Sequence, residues 1–266
     1  MKRLHTPRLA AAIVATVLTV SAVGTAVAGV RPTFSTTRPN GQGKVLIVGD
    51  SLTVGAATGG YRATNYLRDA VAATKASPTD AHTLWSGAIV DARVGRRIPA
   101  GRTIIAERIA ADPSITAVVV ALGTNDVTGS LPATPEERRA FWRSRIAGVL
   151  EAAAGRPVMW VNVEFGPQRP GWNARAAFFN AVLLRMAAEP AYAGRLVVRD
   201  WASRFPNTTR GEMRYTADGI HLNPGGYKFR ADWMRVVMKW FGIAAVAATS
   251  TSSSITSSTD AAPPPP

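Results

Sequence analysis

A chain of 266 residues can hold one sizeable domain or two small ones, and its 47% hydrophobic and 8% aromatic content is ample for a packed core, which excludes global disorder. Its formal charge of +14 comes almost wholly from arginine; a basic surface attracts nucleic acid, anionic lipid or acidic wall polymers, but these arginines are scattered and no zinc-finger or RNA-binding motif accompanies them, so nucleic acid is not an expected partner. With no cysteine there are no disulfides, thiolate metal sites, cysteine nucleophile or lipid-modified cysteine anchor.

Residues 1–28 read as a signal peptide: Lys2, Arg3 and Arg8 form a basic start, Leu9 to Val23 is apolar, and Ala26-Val27-Ala28 is a small-x-small cleavage pattern. The expectation is cleavage behind Ala28 and a secreted or wall-associated protein. The uncharged stretch Leu9 to Val30 is also long enough to span a bilayer, so an uncleaved anchor is the alternative. Residues 29–43, rich in Pro, Thr and Gly, form a linker.

Val45-Leu46-Ile47-Val48 then runs straight into Gly49-Asp50-Ser51. A continuous apolar run of this kind predicts a strand buried on both faces of a parallel sheet. Leu52 to Gly55 begins a helix or turn, and Thr64 to Lys75 has helical spacing. His82 to Val90 reads as a second strand, followed by Asp91-Ala92-Arg93-Val94-Gly95-Arg96-Arg97, and Ala100 to Ala111 as a helix. Ala117 to Leu122 is a buried strand that stops at Gly123-Thr124-Asn125-Asp126. Thr134 caps a helix opened by Pro135 and running to about Ala154. Pro157 to Val163 is a fourth strand, ending at Asn162, Glu164 and Gly166. Trp172 to Ala188 is helical and Arg195 to Asp200 a fifth strand. Arg204 to Ile220 is a polar loop, and Pro224 to Phe241 a final amphipathic helix. This alternation predicts an α/β fold: a three-layer α/β/α sandwich on an approximately five-stranded parallel sheet, over residues 44–243. Residues 244–266, Thr- and Ser-rich and ending in four prolines, cannot bury a core and form a disordered tail.

Open parallel sheets bind ligands beyond the carboxyl ends of their strands, which is where Ser51 falls. Gly-Asp-Ser alone is ordinary turn chemistry. A serine hydroxyl becomes a nucleophile when a base takes its proton, and histidine is the side chain suited to that near neutrality. His5 belongs to the signal segment and His82 to a predicted strand, which leaves His221. Asp218, three residues earlier, supplies the carboxylate that fixes an imidazole's tautomer. Acyl transfer also needs donors for the oxyanion. The Asn125 amide, the Gly95 N–H, open because no side chain intrudes, and the Ser51 N–H are the candidates. Arg93, Asp126 and Glu164 are candidate substrate contacts. Trp85, Trp160, Trp172 and Trp201 are aromatics that line pockets in some proteins and more often fill cores. No spaced metal-ligating cluster is left over, so neither metal nor cofactor is expected.

These blocks resemble the SGNH/GDSL hydrolase superfamily: Gly49-Asp50-Ser51-Leu52 the first, Gly95 the second, Gly123-Thr124-Asn125-Asp126 the third, Asp218-Gly219-Ile220-His221 the last. No GxSxG elbow of an ordinary α/β-hydrolase is present. The resemblance covers about Lys44 to Phe241. It implies a flavodoxin-like fold, Ser51 as nucleophile, His221 as base, Asp218 as its orienter, and an oxyanion hole of Ser51, Gly95 and Asn125. Ala92 to Arg96 and Asp218 to Leu222 are also similar to the SGNH domains attached to membrane acyltransferases, here without the multi-helix membrane part. The expected activity is a secreted serine esterase acting through an acyl-serine on short-acyl or O-acetyl esters of a glycan, lipid or small ester. The alternatives are an O-acyltransferase on cell-surface glycans with the same triad, and a non-catalytic module for an anionic wall or membrane surface. Nothing in the residues fixes the oligomeric state; a monomer is the expectation.

Overall fold

The computed structural model describes residues 43–58, 87–204, 215–238 and 241. The signal segment, most of the linker, the Thr64–Lys75 segment, His82, Trp85 and the tail lie outside the described residues. In chain order the elements are β1 (Lys44–Gly49), α1 (Ser51–Thr58), β2 (Gly87–Ala92), α2 (Ile98–Ala111), β3 (Ile115–Ala121), the short α3 (Thr124–Val127), α4 (Pro135–Ala152), β4 (Val158–Val161), α5 (Pro170–Ala188), β5 (Leu196–Arg199) and α6 (224–238).

All five strands pair in parallel, in the order β2-β1-β3-β4-β5. This is the flavodoxin-like doubly wound order. The apolar runs have the reason the sequence implies: successive residues serve opposite faces of the sheet. Leu46, Val48, Val118, Val120, Val158 and Trp160 join one core with Ile105 of α2, Trp142 and Ile146 of α4 and Phe179 and Leu183 of α5. Val45, Ile47, Val119, Met159 and Val161 join a second core with Leu52 and Ala56 of α1, Trp201, and Ala231, Met234 and Met238 of α6. Each such side chain, fully buried, is worth about 1.5–3 kcal/mol of transfer free energy before entropy is counted.

Local signals set the ends of the elements. Thr134 and Glu137 form a reciprocal capping box at α4: the Glu137 N–H donates to Thr134 Oγ1 (3.2 Å) and the Thr134 N–H to Glu137 Oε2 (3.1 Å). The second strand runs on through Asp91 and Ala92 rather than stopping at Val90. Asp91 is tolerated on this edge strand because Arg96 (2.6 Å) and Arg108 (2.7 Å) both pair with it. Burial alone would raise the Asp91 pKa, but these two guanidinium groups hold it below the usual carboxylate value. Other strands and helices shift by a residue or two from the predicted limits, as fraying element ends do.

Two close approaches shape the rim of the sheet. Gly123 sits at φ 126°, and a Cβ there would lie 2.9 Å from both Val163 and Phe179. Only glycine fits that turn out of β3. Gly55 of α1 lies under the Tyr227 ring, where a Cβ would come within 2.1 Å of the ring carbons. The start of α6 therefore packs directly on the helix that follows Asp50.

Candidate active site

Ser51 is the first residue of α1, immediately after β1. Asp50 caps that helix, its Oδ1 accepting the Leu52 N–H at 3.0 Å. The N–H of a first helical residue has no intrahelical acceptor, so the Ser51 amide is left for a ligand. Asp50 itself is fully buried. Burial raises its pKa, and the charge of Arg230, buried on α6 and stacked 4.5 Å over Trp201, pulls it part of the way back.

His221 arrives from the far end of the chain. An antiparallel bridge between Tyr215 and Leu222 closes its loop, and the Thr216 N–H donates to the His221 carbonyl at 2.8 Å. Asp218 organises the turn: its Oδ1 accepts the Ile220 N–H (2.8 Å), the His221 N–H (2.9 Å) and the Thr216 hydroxyl (2.7 Å). Its Oδ2 stands 2.6 Å from His221 Nδ1, and His221 Nε2 is 3.1 Å from Ser51 Oγ. Burial alone would raise the Asp218 pKa, but the His221 ring and the donors on Oδ1 outweigh it and hold the carboxyl well below its usual range. Ionised Asp218 accepts Nδ1–H, which leaves Nε2 a lone pair facing the Ser51 hydroxyl. The three residues singled out in the sequence stand within hydrogen-bond reach in series.

Two loops flank them. The Arg93–Arg96 turn places Gly95 exposed at φ 74° with nothing within 4 Å of a Cβ position. Its N–H is open to close approach by a ligand. Asn125 lies on α3, and its Nδ2 donates to the Arg96 carbonyl at 3.2 Å, which ties the two loops together and leaves a second amide N–H.

The three candidate substrate contacts fare differently. Arg93 is exposed beside Gly95, as a contact residue would be. Asp126 does not reach the site: it is buried, its Oδ2 accepting the Ile98 N–H at 2.9 Å and its Oδ1 accepting from Arg145 at 3.3 Å. It caps α2 from the short helix α3. Burial raises its pKa to about 6. Glu164 turns into a cavity of about 10 Å³ lined with Leu52, Thr124, Asn162 and Arg230, too small for any substrate group. Burial, with the charge of Asp200, pushes its pKa up to about 8. Trp160 and Trp201 are core residues, and Trp172 packs on Phe165 at 5.5 Å.

Glu164 carries a stability prediction. Between its unperturbed value of 4.5 and about 8, the folded chain holds a proton that the unfolded chain has released. Stability from this group is complete below 4.5 and is lost as pH rises through about 8. Melting curves taken from about pH 5 to pH 8 should therefore fall more steeply for the wild type than for Glu164→Gln, by several degrees at about 2–4 °C per kcal/mol. Parallel curves for the two proteins would refute it.

Several supporting residues carried no sequence signal. Arg96 is buried, and besides pairing with Asp91 its Nη1 reaches the Gly49 carbonyl at 3.5 Å, so it bolts the Gly95 turn to the ends of β1 and β2. The loop after β4 braces the histidine turn: Arg169 Nε donates to the Asp218 carbonyl (2.8 Å), Gln168 Nε2 to that of Thr216 (3.0 Å), and the Gly166 N–H to that of Gly219 (2.7 Å). Among the described residues no cluster of three or more His, Cys, Asp or Glu side chains could hold a metal ion. No described helix is long and apolar enough to cross a membrane.

A base-linked hydroxyl beside open N–H groups is equipped for attack on a carbonyl. The model of the GDSL-like Lipase/Acylhydrolase family matches residues 47–229. Among solved structures the chain is similar to a lipase/acylhydrolase from Enterococcus faecalis, with 18% identity over 74% of this chain and 95% of that one and a TM-score of 0.56. It is also similar to TesA, with 17% identity, 74% and 99% coverage and a TM-score of 0.52. A third is the C-terminal catalytic domain of the Streptococcus pneumoniae peptidoglycan O-acetyltransferase OatA, with 18% identity, 76% and 94% coverage and a TM-score of 0.50. At such identities these structures speak for the fold. No curated protein matches the chain.

Proposed function

The chain belongs to the GDSL-like lipase/acylhydrolase family and is a hydrolase acting on esters, and from that premise we propose a secreted or wall-associated serine esterase that removes short acyl groups, O-acetyl among them, from a glycan or lipid. The observation that carries the catalytic part is the series Asp218 Oδ2, His221, Ser51 Oγ, with gaps of 2.6 and 3.1 Å. The leader-like segment at residues 1–28 supports the export part.

In the proposed cycle Ser51 Oγ attacks the ester carbonyl as His221 Nε2 takes its proton. The N–H groups of Ser51 and Gly95 and the free amide N–H of Asn125 receive the negative oxygen. Collapse of the tetrahedral species breaks the carbonyl–alkoxy bond, and His221 returns the proton to the leaving alcohol. Water, deprotonated by the same imidazole, then splits the acyl-serine and releases the acid and free Ser51.

Replacing Asn125 by alanine removes an oxyanion donor and unties the Gly95 turn from α3. The expected loss is about a hundredfold or more in kcat on p-nitrophenyl acetate, with KM much less affected. Unchanged kcat would remove Asn125 from the oxyanion hole. Running the same assay with added sugar acceptors separates hydrolysis from acyl transfer: release of free acetate unaffected by the acceptor is the expected outcome.

A further inference from the structure

An open cleft of about 690 Å³ lies beside the Gly95 and Asn125 loops, and the charged residues lining it are Arg97, Arg138 and Arg175, with no carboxylate among them. Two of its lining residues, Arg97 and Thr128, adjoin the loops that carry Gly95 and Asn125. Arg97 follows Arg96, whose carbonyl holds Asn125, and the Thr128 hydroxyl donates to the Asn125 carbonyl at 3.3 Å.

The guanidinium groups of Arg138 and Arg175 are oriented by carbonyls rather than by carboxylates. Arg138 donates to the carbonyls of Thr134 and Ala133, each at 3.2 Å, and its head lies 5.6 Å from the Phe178 ring centre. Arg175 donates to the Gly129 carbonyl at 3.3 Å. Carbonyl acceptors fix direction but leave each full positive charge in place, with further N–H groups to spare. None of the ion pairs between described residues includes Arg97. Asp126, which feels the Arg97 charge, is buried and already shared by Ile98 and Arg145.

Two of these cations stand at helix starts, with Glu136 and Glu137 of α4 next to Arg138 in the chain. Arg97 is the N-cap residue of α2, and Arg138 lies just inside the N-terminus of α4. Cations are disfavoured at that end of a helix dipole, where anions are favoured. Local rules broken at the edge of a functional site mark a role for the residues that break them.

We propose that this cleft is the subsite for an acidic saccharide: the alcohol portion of the substrate carries a carboxylate or phosphate, which Arg97, Arg138 and Arg175 bind while its ester reaches Ser51. The proposal rests on the esterase reading and narrows its substrate to anionic glycans. A volume of this size accommodates one or two sugar units.

The test compares, on the full chain, the acetyl esters of glucose, of glucuronate and of glucose 6-phosphate. KM should be about tenfold lower for the carboxylate or the phosphate ester than for the neutral one, and that advantage should shrink as salt rises. Which of the two anions is preferred identifies the source of the charge. Arg97→Ala and Arg175→Gln should bring the anionic-to-neutral ratio of kcat/KM towards unity, and Arg97→Lys should keep most of it. Equal KM for all three esters, or a preference that survives both neutral substitutions, would overturn the subsite. Calorimetry of glucuronate and inorganic phosphate on the Ser51→Ala chain reads the same cleft without turnover. Saturable binding weakened about tenfold by Arg97→Ala supports the proposal, and no saturable binding by either anion overturns it. Failure of the wild type to hydrolyse even p-nitrophenyl acetate would instead strike the esterase reading, and the calorimetry would still decide the cleft.

Discussion

Ser51→Ala should lower kcat on p-nitrophenyl acetate by about four to six orders of magnitude while leaving the fold intact. The effect is large because, in the proposed cycle, the base and its orienter act only through the Ser51 oxygen, which alanine lacks. The fold survives because the cap of α1 comes from Asp50, whose Oδ1 holds the Leu52 N–H, and alanine is a good helix former at an exposed or half-buried helix start. His221→Ala should cost about as much. The double variant should be scarcely worse than either single one, since a nucleophile without its base and a base without its nucleophile are equally idle. Additive losses would mean that the two residues do not act as a unit.

The second large effect is expected at Asp218. In Asp218→Asn the side-chain oxygen can still accept from Ile220, His221 and Thr216, so the turn keeps its shape. The amide nitrogen, however, then faces His221 Nδ1 as a donor. The ring must accept there, its proton moves to Nε2, and Nε2 points a hydrogen at Ser51 instead of a lone pair. The expected loss is about 10³–10⁴-fold in kcat at neutral pH, with an unchanged melting temperature. Asp218→Ala should lose both rate and stability, because three loop hydrogen bonds go with the carboxylate. Equal melting temperatures and an Asn variant at near wild-type rate would show that tautomer control is not the role of Asp218.

How much of this was legible in the sequence depends on how local each cause is. β1 and β3 are legible because their β-branched runs are buried on both faces, and the start of α4 because Thr134, Pro135 and Glu137 carry the cap within four residues. The end of β2 was misjudged at Asp91, a charge in a strand that makes sense only once Arg96 and Arg108 are seen to hold it. Asp126 stands among the candidate substrate contacts in the sequence. Its partner, the Ile98 N–H, lies 28 residues away, and only the tertiary fold reveals it. Arg96, Arg169 and Arg230 were invisible for a similar reason. In a chain this rich in arginine, no local pattern separates a buried brace from a solvated charge. The motif residues Ser51, Asn125, Asp218 and His221 stood out because their chemistry is narrow and each lies at a strand end or in a tight turn. Their mutual distances were not readable. These rest on Gly55 admitting the Tyr227 ring and on the loop after β4 bracing the histidine turn.

The account turns on one activated oxygen, and peptide mass spectrometry after exposure to a fluorophosphonate addresses it directly. The wild-type chain should carry one phosphonyl adduct, on the peptide containing Ser51, with ester hydrolysis lost in proportion. His221→Ala should slow that labelling strongly and Ser51→Ala should abolish it. An adduct on a different serine, or unimpaired hydrolysis by a chain fully modified at Ser51, would contradict the account.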